Sequence, residues 1–141
     1  TLGMLTGPVA YVTLLEMLLG HDAGAAVELG EKLAREHPEC RLFEWQLGEG
    51  CKKTGRFNRA VEVFTRLAAK YRSDPADDGS GQLRCWWKLA VLADSLGKRD
   101  ERRKYCEMIL DLGRVESVAK RQARRIEGAK KFLTETDCEG Q

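Results

Sequence analysis

Proline and long apolar runs are scarce in this chain. Only three of its 141 residues are proline, a composition that suits short helices better than strands. The most apolar stretch, Pro8 to Gly20, has about a dozen residues and contains Glu16, whereas a membrane-spanning helix needs about 20 apolar residues. It also lacks the basic segment and the A-x-A site of a signal peptide. We therefore expect no membrane span, although a chain that begins at Thr1 rather than at methionine leaves an upstream segment open.

A large excess of charge of one sign is also absent. The 24 Lys and Arg residues nearly balance the 22 Asp and Glu residues, and the formal net charge is +2. A net charge this small does not by itself indicate binding to nucleic acid or to a membrane surface.

The five cysteines are odd in number and include no C-x-x-C pair. This pattern does not predict a disulfide framework, and it favours buried thiols in a reducing compartment such as the cytoplasm. The segment from His37 to Cys40 looks like half of a metal site, but no second half with matching spacing follows it. We therefore expect no metal.

Sequence signatures of catalysis are missing as well. The chain has no G-x-S-x-G, no P-loop, no G-x-G-x-x-G and no H-E-x-x-H motif. His21 and His37 fall at a turn and at a helix end, and neither has an evident orienting partner of the kind a catalytic histidine needs. The sequence predicts a protein that is not an enzyme and that holds no cofactor.

The most informative stretch runs from Leu42 to Tyr71. Its apolar residues recur at the spacing of two amphipathic helices. The two helices are joined by a tight turn at Gly55, which can adopt the positive φ that ends a helix. Gly48 and Ala60 are small where the two helices would cross, so the backbones can approach closely.

Two aromatic residues complete this hairpin. Phe57 and Phe64 are seven residues apart, so they project from one face of the second helix. There they can fill the gap under the crossing. Such a hairpin cannot bury its own apolar face and needs stacked neighbours.

The positions of Leu47-Gly48, Gly55, Phe57, Ala60 and Phe64 resemble the tetratricopeptide repeat (TPR) family closely. The resemblance implies an all-α fold: a right-handed α-solenoid of about three TPR-like helical hairpins plus a C-terminal capping helix. We expect one domain over residues 1–141. Its segments are a degenerate repeat 1 at 8–37, repeat 2 at 39–72, a loop at 73–81, repeat 3 at 82–112 and a capping helix at 114–134, followed by a disordered tail.

The flanking repeats match the pattern less well. In repeat 1, Gly20 aligns with Gly55, and Thr13 replaces a small residue. In repeat 3, Arg102 replaces the small alanine, which predicts a looser or shifted helix crossing. Repeat 3 matches the family best at Trp86, Leu89, Ala90 and Gly97.

The last helix should cap the solenoid. A narrow apolar stripe recurs every three or four residues along it and is expected to dock on the helix of residues 98–112. The stripe consists of Val115, Val118 or Ala119, Gln122, Ile126, Ala129 and Leu133. The remaining surface is basic, with Arg114, Lys120, Arg121, Arg124, Arg125, Lys130 and Lys131.

In the TPR family, the first helices of the repeats line a concave groove that holds an extended peptide or a partner segment. The resemblance maps groove positions here onto Leu42, Trp45, Gln46, Glu49, Lys52 and Lys53, and onto Arg84, Trp87, Lys88, Val91, Asp94 and Ser95. The residues predicted to bind a partner are Trp45, Glu49, Lys52, Arg84, Trp87 and Lys88. For Trp45 and Trp87, packing in the core remains an alternative, whereas Trp86 matches the core tryptophan of the family.

The predicted function is a non-catalytic scaffold for protein–protein interaction. The aromatic and cationic residues favour a partner with apolar anchors and acidic residues. Glu49 and Val91 occupy positions where the carboxylate-clamping members of the family have asparagine, so that activity is not implied. Two alternatives stay open: binding of nucleic acid or an anionic surface through the basic last helix, and a structural or self-associating module that forms a homo-oligomer.

Overall fold

The computed structural model describes residues 8–139, and the side chains of residues 10–135. Within this range the chain forms helices and no β-strand, which confirms the predicted all-α class. The helices are α1 Pro8–His21, α2 Ala23–Glu36, α3 Arg41–Lys53, α4 Phe57–Arg72, α5 Ser80–Ser95, α6 Arg99–Leu112, α7 Glu116–Arg121 and α8 Ala123–Glu139.

The chain divides into two compact units, Thr1–Val63 and Phe64–Gln141. The boundary falls inside α4, the helix that was predicted to be the second helix of repeat 2. A single domain over residues 1–141 stays a prediction.

In the first unit, α1, α2 and α3 pack against one another. Leu15, Leu33 and Phe43 form a buried cluster, to which each of the three helices contributes one side chain. The helices α2 and α3 cross closely, because a Cβ atom on Gly30 would lie 3.4 Å from the Cα atom of Leu47. The Asp22 carboxylate caps α2 by accepting a hydrogen bond from the backbone N–H three residues later (3.1 Å).

In the second unit, α5 and α6 form a hairpin, and α8 packs mainly on α6. The buried cluster of this unit draws on α5, α6, α7 and α8, and consists of Leu83, Ala90, Cys106, Ile109, Val118 and Ala129. The expected docking of the last helical segment on the helix of residues 98–112 is therefore confirmed.

Two turns of the chain have the same backbone geometry. Gly55 and Gly97 adopt φ angles of +78° and +72°, a region that strongly favours glycine. In each turn the next residue donates a backbone hydrogen bond five residues back, from Arg56 to Cys51 (2.8 Å) and from Lys98 to Ala93 (2.9 Å). These six-to-one bonds are a Schellman closure of α3 and of α5.

The first turn of the chain differs from these two. Gly20 lies inside α1 and does not have a positive φ, and a single residue, Asp22, separates α1 from α2. The alignment of Gly20 with Gly55 is therefore wrong at the level of the backbone, because the Asp22 cap starts the second helix without a glycine turn.

The loop before α5 is shorter than predicted. The helix begins at Ser80, two residues inside the expected loop of residues 73–81. Asp77 and Asp78 explain the early start, because their carboxylates accept hydrogen bonds from the first backbone N–H groups of the helix. Asp78 accepts from Ser80 and Asp77 from Gly81, both at 3.0 Å. At the other predicted boundary, α3 begins at Arg41 rather than near residue 39.

The last helical segment is two helices rather than one. It breaks at Gln122, whose backbone (φ −118°, ψ 25°) is not helical, and α8 continues to Glu139, five residues beyond the predicted end. The Gln122 side chain is buried and accepts a hydrogen bond from Arg125 (2.9 Å). Val118 on α7 and Ala129 on α8, on either side of the break, are both fully buried. The prediction of a disordered tail after residue 134 is therefore wrong for the segment up to Glu139, which is helical.

One residue of the predicted stripe does not reach the core. Val115 precedes α7 and is 44% exposed. Ile126 and Leu133 pack against the buried cluster of the second unit, as the stripe predicts. Val115 differs because it is the N-cap of α7, where the extended backbone directs the chain away from the helix axis.

The looser or shifted crossing expected at Arg102 stays a prediction, but the structure shows what this side chain contacts. Its side chain is buried, forms an ion pair with Asp94 of α5 and lies over the ring of Phe132 of α8, with the guanidinium carbon 5.1 Å from the ring centroid. A long side chain with a charged end thus occupies the place of the small alanine and joins three helices.

Gly128 provides a sharp test of the α5–α8 contact. A Cβ atom on Gly128 would lie 2.5 Å from Cη2 of Trp87, so alanine requires the indole or α8 to move. We expect Gly128→Ala to lower the free energy of unfolding by about 1–3 kcal/mol, as overpacking usually does. Urea unfolding followed by circular dichroism measures this change.

Gly20 supplies the matched control. It also lies in a helix, but no atom comes within 4 Å of its added Cβ. Gly20→Ala should therefore raise the free energy of unfolding by up to about 1 kcal/mol, because alanine is the better helix former. If both substitutions stabilise the protein, α8 does not approach α5 as described.

Candidate functional site

In the first unit, the predicted partner-binding residues lie on one face of α3. Trp45, Glu49 and Lys52 follow one another at spacings of four and three residues, and all three side chains are partly exposed. Leu42 extends the same face by one turn and is 50% exposed. We call these four residues the α3 face. It combines an indole, a large aliphatic side chain and one charge of each sign.

Two other predicted groove positions on α3 are used inside the unit. Gln46 is buried, with 8% of its surface exposed. The Lys53 ammonium donates a hydrogen bond to the backbone carbonyl of Leu19 at the end of α1 (3.0 Å). Carbonyl groups in a last helical turn lack partners within the helix, so Lys53 satisfies one of them and ties α3 to α1.

In the second unit, Arg84 and Lys88 lie one turn apart on α5 and are both partly exposed. Trp87 is placed differently. Its ring contacts the ring of Phe132 at a centroid distance of 5.5 Å and an interplanar angle of 30°, and it lies against Gly128. The helix α8 therefore packs against Trp87, whose side chain stays partly exposed. This contact supports packing, the alternative left open for this residue.

The remaining groove positions of α5 make contacts within their own unit. Asp94 pairs with the buried Arg102, and the Ser95 hydroxyl donates to the backbone carbonyl of Val91 (3.2 Å). Ser95 therefore satisfies a helical carbonyl, and Asp94 compensates a buried cation. Neither role requires a partner molecule.

A groove that the sequence did not predict lies within the second unit. It is formed by the last two turns of α4 together with α5 and α6, and its volume is about 250 Å³. We call it the Trp86 groove; its lining includes Trp86, Leu89, Tyr105, Met108, Arg72 and Lys104. Trp86 borders this groove and also packs against the buried cluster of the second unit, as Trp87 does.

The acidic loop before α5 caps a helix. The nearby hydroxyl of Ser80 and the hydrogen bond from its backbone N–H lower the pKa of Asp78 to about 2, with further contributions from Ser117 and Arg121. The Arg121 guanidinium of α7 lies 3.8 Å from the Asp78 carboxylate. Asp78 thus links the start of α5 to α7. Over the part of the chain that the structure describes, no three His, Cys, Asp or Glu side chains are placed to share a metal ion.

The lowered pKa of Asp78 gives a pH dependence with a definite sign. Its stabilising effect is fully present above its ordinary pKa of 3.8 and is lost as the pH falls toward about 2, because protonation removes the charge that accepts these hydrogen bonds. We expect Asp78→Asn to be less stable than the wild type at pH 6 and to lose less stability on acidification. Urea unfolding at several pH values measures both curves.

Asp111→Asn is the matched control, since it removes an exposed carboxylate from α6. It shows whether the smaller loss of stability at acid pH is specific to Asp78. If the free energy of unfolding falls equally with acidification in Asp78→Asn and in the wild type, the described cap is contradicted.

Three cysteine thiols, those of Cys51, Cys85 and Cys106, are buried, and Cys40 is partly buried; within the described residues none of the four forms a disulfide. Burial raises the pKa of Cys51, and it raises that of Cys106 to about 11. A thiol with so high a pKa is protonated at neutral pH and reacts slowly. These cysteines serve as small apolar residues of the core, as the sequence predicts.

Among the helices of residues 8–139, none combines the length and the apolar character that crossing a membrane requires. Comparisons of the chain with protein-family models, with curated proteins and with solved structures found no significant match.

Proposed function

We propose that this chain is a TPR-like scaffold that binds a peptide or a partner segment and has no catalytic activity. In this proposal its hairpins stack as a right-handed α-solenoid, and the first helices of the repeats present the binding surface. Support comes from the sequence resemblance and from the matching glycine turns at Gly55 and Gly97, which lie 42 residues apart and close in the same way.

The observation that carries the proposal is the α3 face. Leu42, Trp45, Glu49 and Lys52 form a partly exposed stripe with an aromatic anchor and flanking charges. Interfaces depend on a few such residues, with tryptophan the most frequent among those that contribute strongly. In the second unit, Arg84 and Lys88 are the predicted residues that we retain, and Trp87 is assigned to the contact with α8.

The test compares matched variants in partner capture followed by titration. The full chain is used to purify binding partners, and each candidate is then titrated with the wild type, Trp45→Ala and Lys52→Glu. We expect Trp45→Ala to weaken the binding of a true partner at least ten-fold, which corresponds to a loss of about 1.4 kcal/mol or more in binding free energy. Lys32→Glu, at an exposed position on α2, makes the same charge change away from the α3 face and should have little effect.

If no captured protein distinguishes Trp45→Ala from the wild type, the α3 face is not the binding surface. Circular dichroism of each variant shows whether the fold is retained, so that loss of binding is not confused with unfolding.

Self-association is a second candidate with an observation in its favour. Tyr11, Leu14 and Met17 are exposed at three-residue spacing on α1, and Met17 is 59% exposed. An apolar stripe of this kind on an exposed helix is typical of a contact surface. Sedimentation velocity over a range of protein concentrations tests it, and a Met17→Lys variant should shift the distribution toward monomer if the stripe is the contact.

The basic last segment offers less support for polyanion binding. Four of its cations lie close to carboxylates: Arg114 to Asp111, Lys120 to Glu116, Arg121 to Asp78 and Lys130 to Glu127. Each pair reduces the positive field that a polyanion would meet. A titration with duplex DNA at low and high salt decides the point, because phosphate contacts give a steep salt dependence.

A further inference from the structure

The Trp86 groove has a size that limits what it can hold. Its volume of about 250 Å³ is below the roughly 300–1,000 Å³ of typical small-molecule and cofactor sites. A space of this size accommodates one large apolar side chain with its flanking backbone. The groove therefore fits a segment of polypeptide better than a cofactor.

The lining of the groove is apolar apart from Thr65, Gln82 and the two cations Arg72 and Lys104. Leu89 is buried at its base, and the half-buried side chains of Trp86, Tyr105 and Met108 border the opening. The flexible methionine side chain adapts to the shape of an apolar partner, and aromatic and methionine side chains are both enriched at interfaces. Burial, with a smaller contribution from the Glu101 carboxylate, raises the pKa of Tyr105, so its hydroxyl stays protonated and can donate a hydrogen bond at the rim.

The charged residues that line the groove are both cationic. Arg72 at the end of α4 and Lys104 on α6 are both exposed, and none of the described residues that line the groove is acidic. Two cations beside an apolar opening favour a carboxylate next to the inserted side chain, and they disfavour a basic segment.

The groove is separate from the face of α5 that the sequence predicted to bind a partner. At about 100° per residue, Trp86 and Leu89 project to one side of α5, and Arg84 and Lys88 project to the opposite side. The groove is therefore a further surface, distinct from the one invoked in the proposed function.

We propose that the Trp86 groove is a second docking site, which takes an acidic peptide segment by inserting one aromatic or large aliphatic side chain. The apolar side chain lies against Trp86, Tyr105 and Met108, and carboxylates beside it pair with Arg72 and Lys104. The charge of the rim sets the preference for an acidic sequence, and the volume limits insertion to one large side chain.

The test uses the full chain labelled with ¹⁵N and three blocked pentapeptides, DEFDE, KKFKK and DEADE. We expect DEFDE to shift the indole N–H resonance of Trp86 and the backbone resonances of residues 104–108. KKFKK and DEADE should each bind at least ten-fold more weakly, a difference of about 1.4 kcal/mol. The indole N–H resonance that is missing from the spectrum of a Trp86→Phe variant is the resonance of Trp86.

Matched variants locate the site. The double substitution Arg72→Glu and Lys104→Glu should weaken the binding of DEFDE at least ten-fold. Arg66→Glu, at an exposed position on α4, the helix of Arg72, should change the affinity for DEFDE less than two-fold. Ala69→Phe, which adds a ring at the exposed rim, should block binding without disturbing the fold. Trp45→Ala should leave binding of DEFDE unchanged, so failure of this proposal is distinguishable from failure of the α3 face.

Three outcomes would overturn the proposal. The first is equal affinity for DEFDE and KKFKK. The second is a shift confined to the Trp45 indole. The third is no shift of the Trp86 indole at about 5 mM peptide, a concentration above a millimolar dissociation constant.

Discussion

Ending the chain after Gly113 is expected to lower the stability of the second unit by several kcal/mol or to cause aggregation. The deletion removes α7 and α8, which contribute the fully buried Val118 and Ala129 and the packed side chains of Ile126 and Phe132. Burial of each large side chain is worth about 1.5–3 kcal/mol before the entropy of ordering the helices is subtracted.

The deletion also removes contacts that α8 makes. Trp87 loses its contacts with Phe132 and Gly128, and the buried Arg102 loses the ring over its guanidinium. A thermal melt with light scattering measures the result. Each kcal/mol should lower the Tm by roughly 2–6 °C in a chain of this length.

A chain that ends after Glu135 is the matched control, since it keeps the α8 residues that are described as packing on the core of the second unit, namely Ile126, Ala129, Phe132 and Leu133. Its Tm should be close to that of the full chain. If the deletion after Gly113 instead leaves the Tm unchanged and abolishes binding to duplex DNA, the last segment is a nucleic-acid arm and not a cap.

Phe64→Ala should lower the free energy of unfolding by about 3–5 kcal/mol, the usual range for an emptied aromatic site in a core. Phe64 is fully buried, as its place in the repeat predicts. The cost combines the lost transfer free energy of the ring with the cavity that remains. Urea unfolding followed by circular dichroism measures it.

Phe57→Ala on the same helix makes the same chemical change at a half-buried position. It should cost clearly less than Phe64→Ala, because its site can refill with water or rearrange. A loss below about 1 kcal/mol for Phe64→Ala would be inconsistent with a closely packed aromatic core site.

Most of the secondary structure followed from local sequence patterns. Spacing of apolar residues predicted each helix from α1 to α6, and Gly55 and Gly97 end α3 and α5 with the expected turn. At the start of α5, where the predicted helix boundary was wrong, the cause was a side-chain cap rather than the spacing of apolar residues. Carboxylates of Asp77 and Asp78 start α5 early, since side-chain caps can replace the missing helical partners of backbone N–H groups.

The predicted site was less complete. On α3, the sequence placed Trp45, Glu49 and Lys52 on one face, because residues three and four apart in a helix are neighbours. On α5 it assigned Trp86 to the core and left Trp87 open between the groove and the core. Consecutive residues differ by about 100° around a helix, so the two rings point in different directions, and either direction is suitable for a core or for a surface.

By itself, the sequence determined the helical class, the two glycine turns, the burial of Phe64 and the apolar stripe that holds the last segment. These features depend on periodicity and backbone preference, which act within a few residues. Only the tertiary structure decided that α8 packs against Trp87, that Arg102 pairs with Asp94 beneath Phe132, and that the last segment breaks at Gln122. These outcomes depend on contacts between helices distant in sequence, where the position of one helix decides which side chain of another remains exposed to solvent.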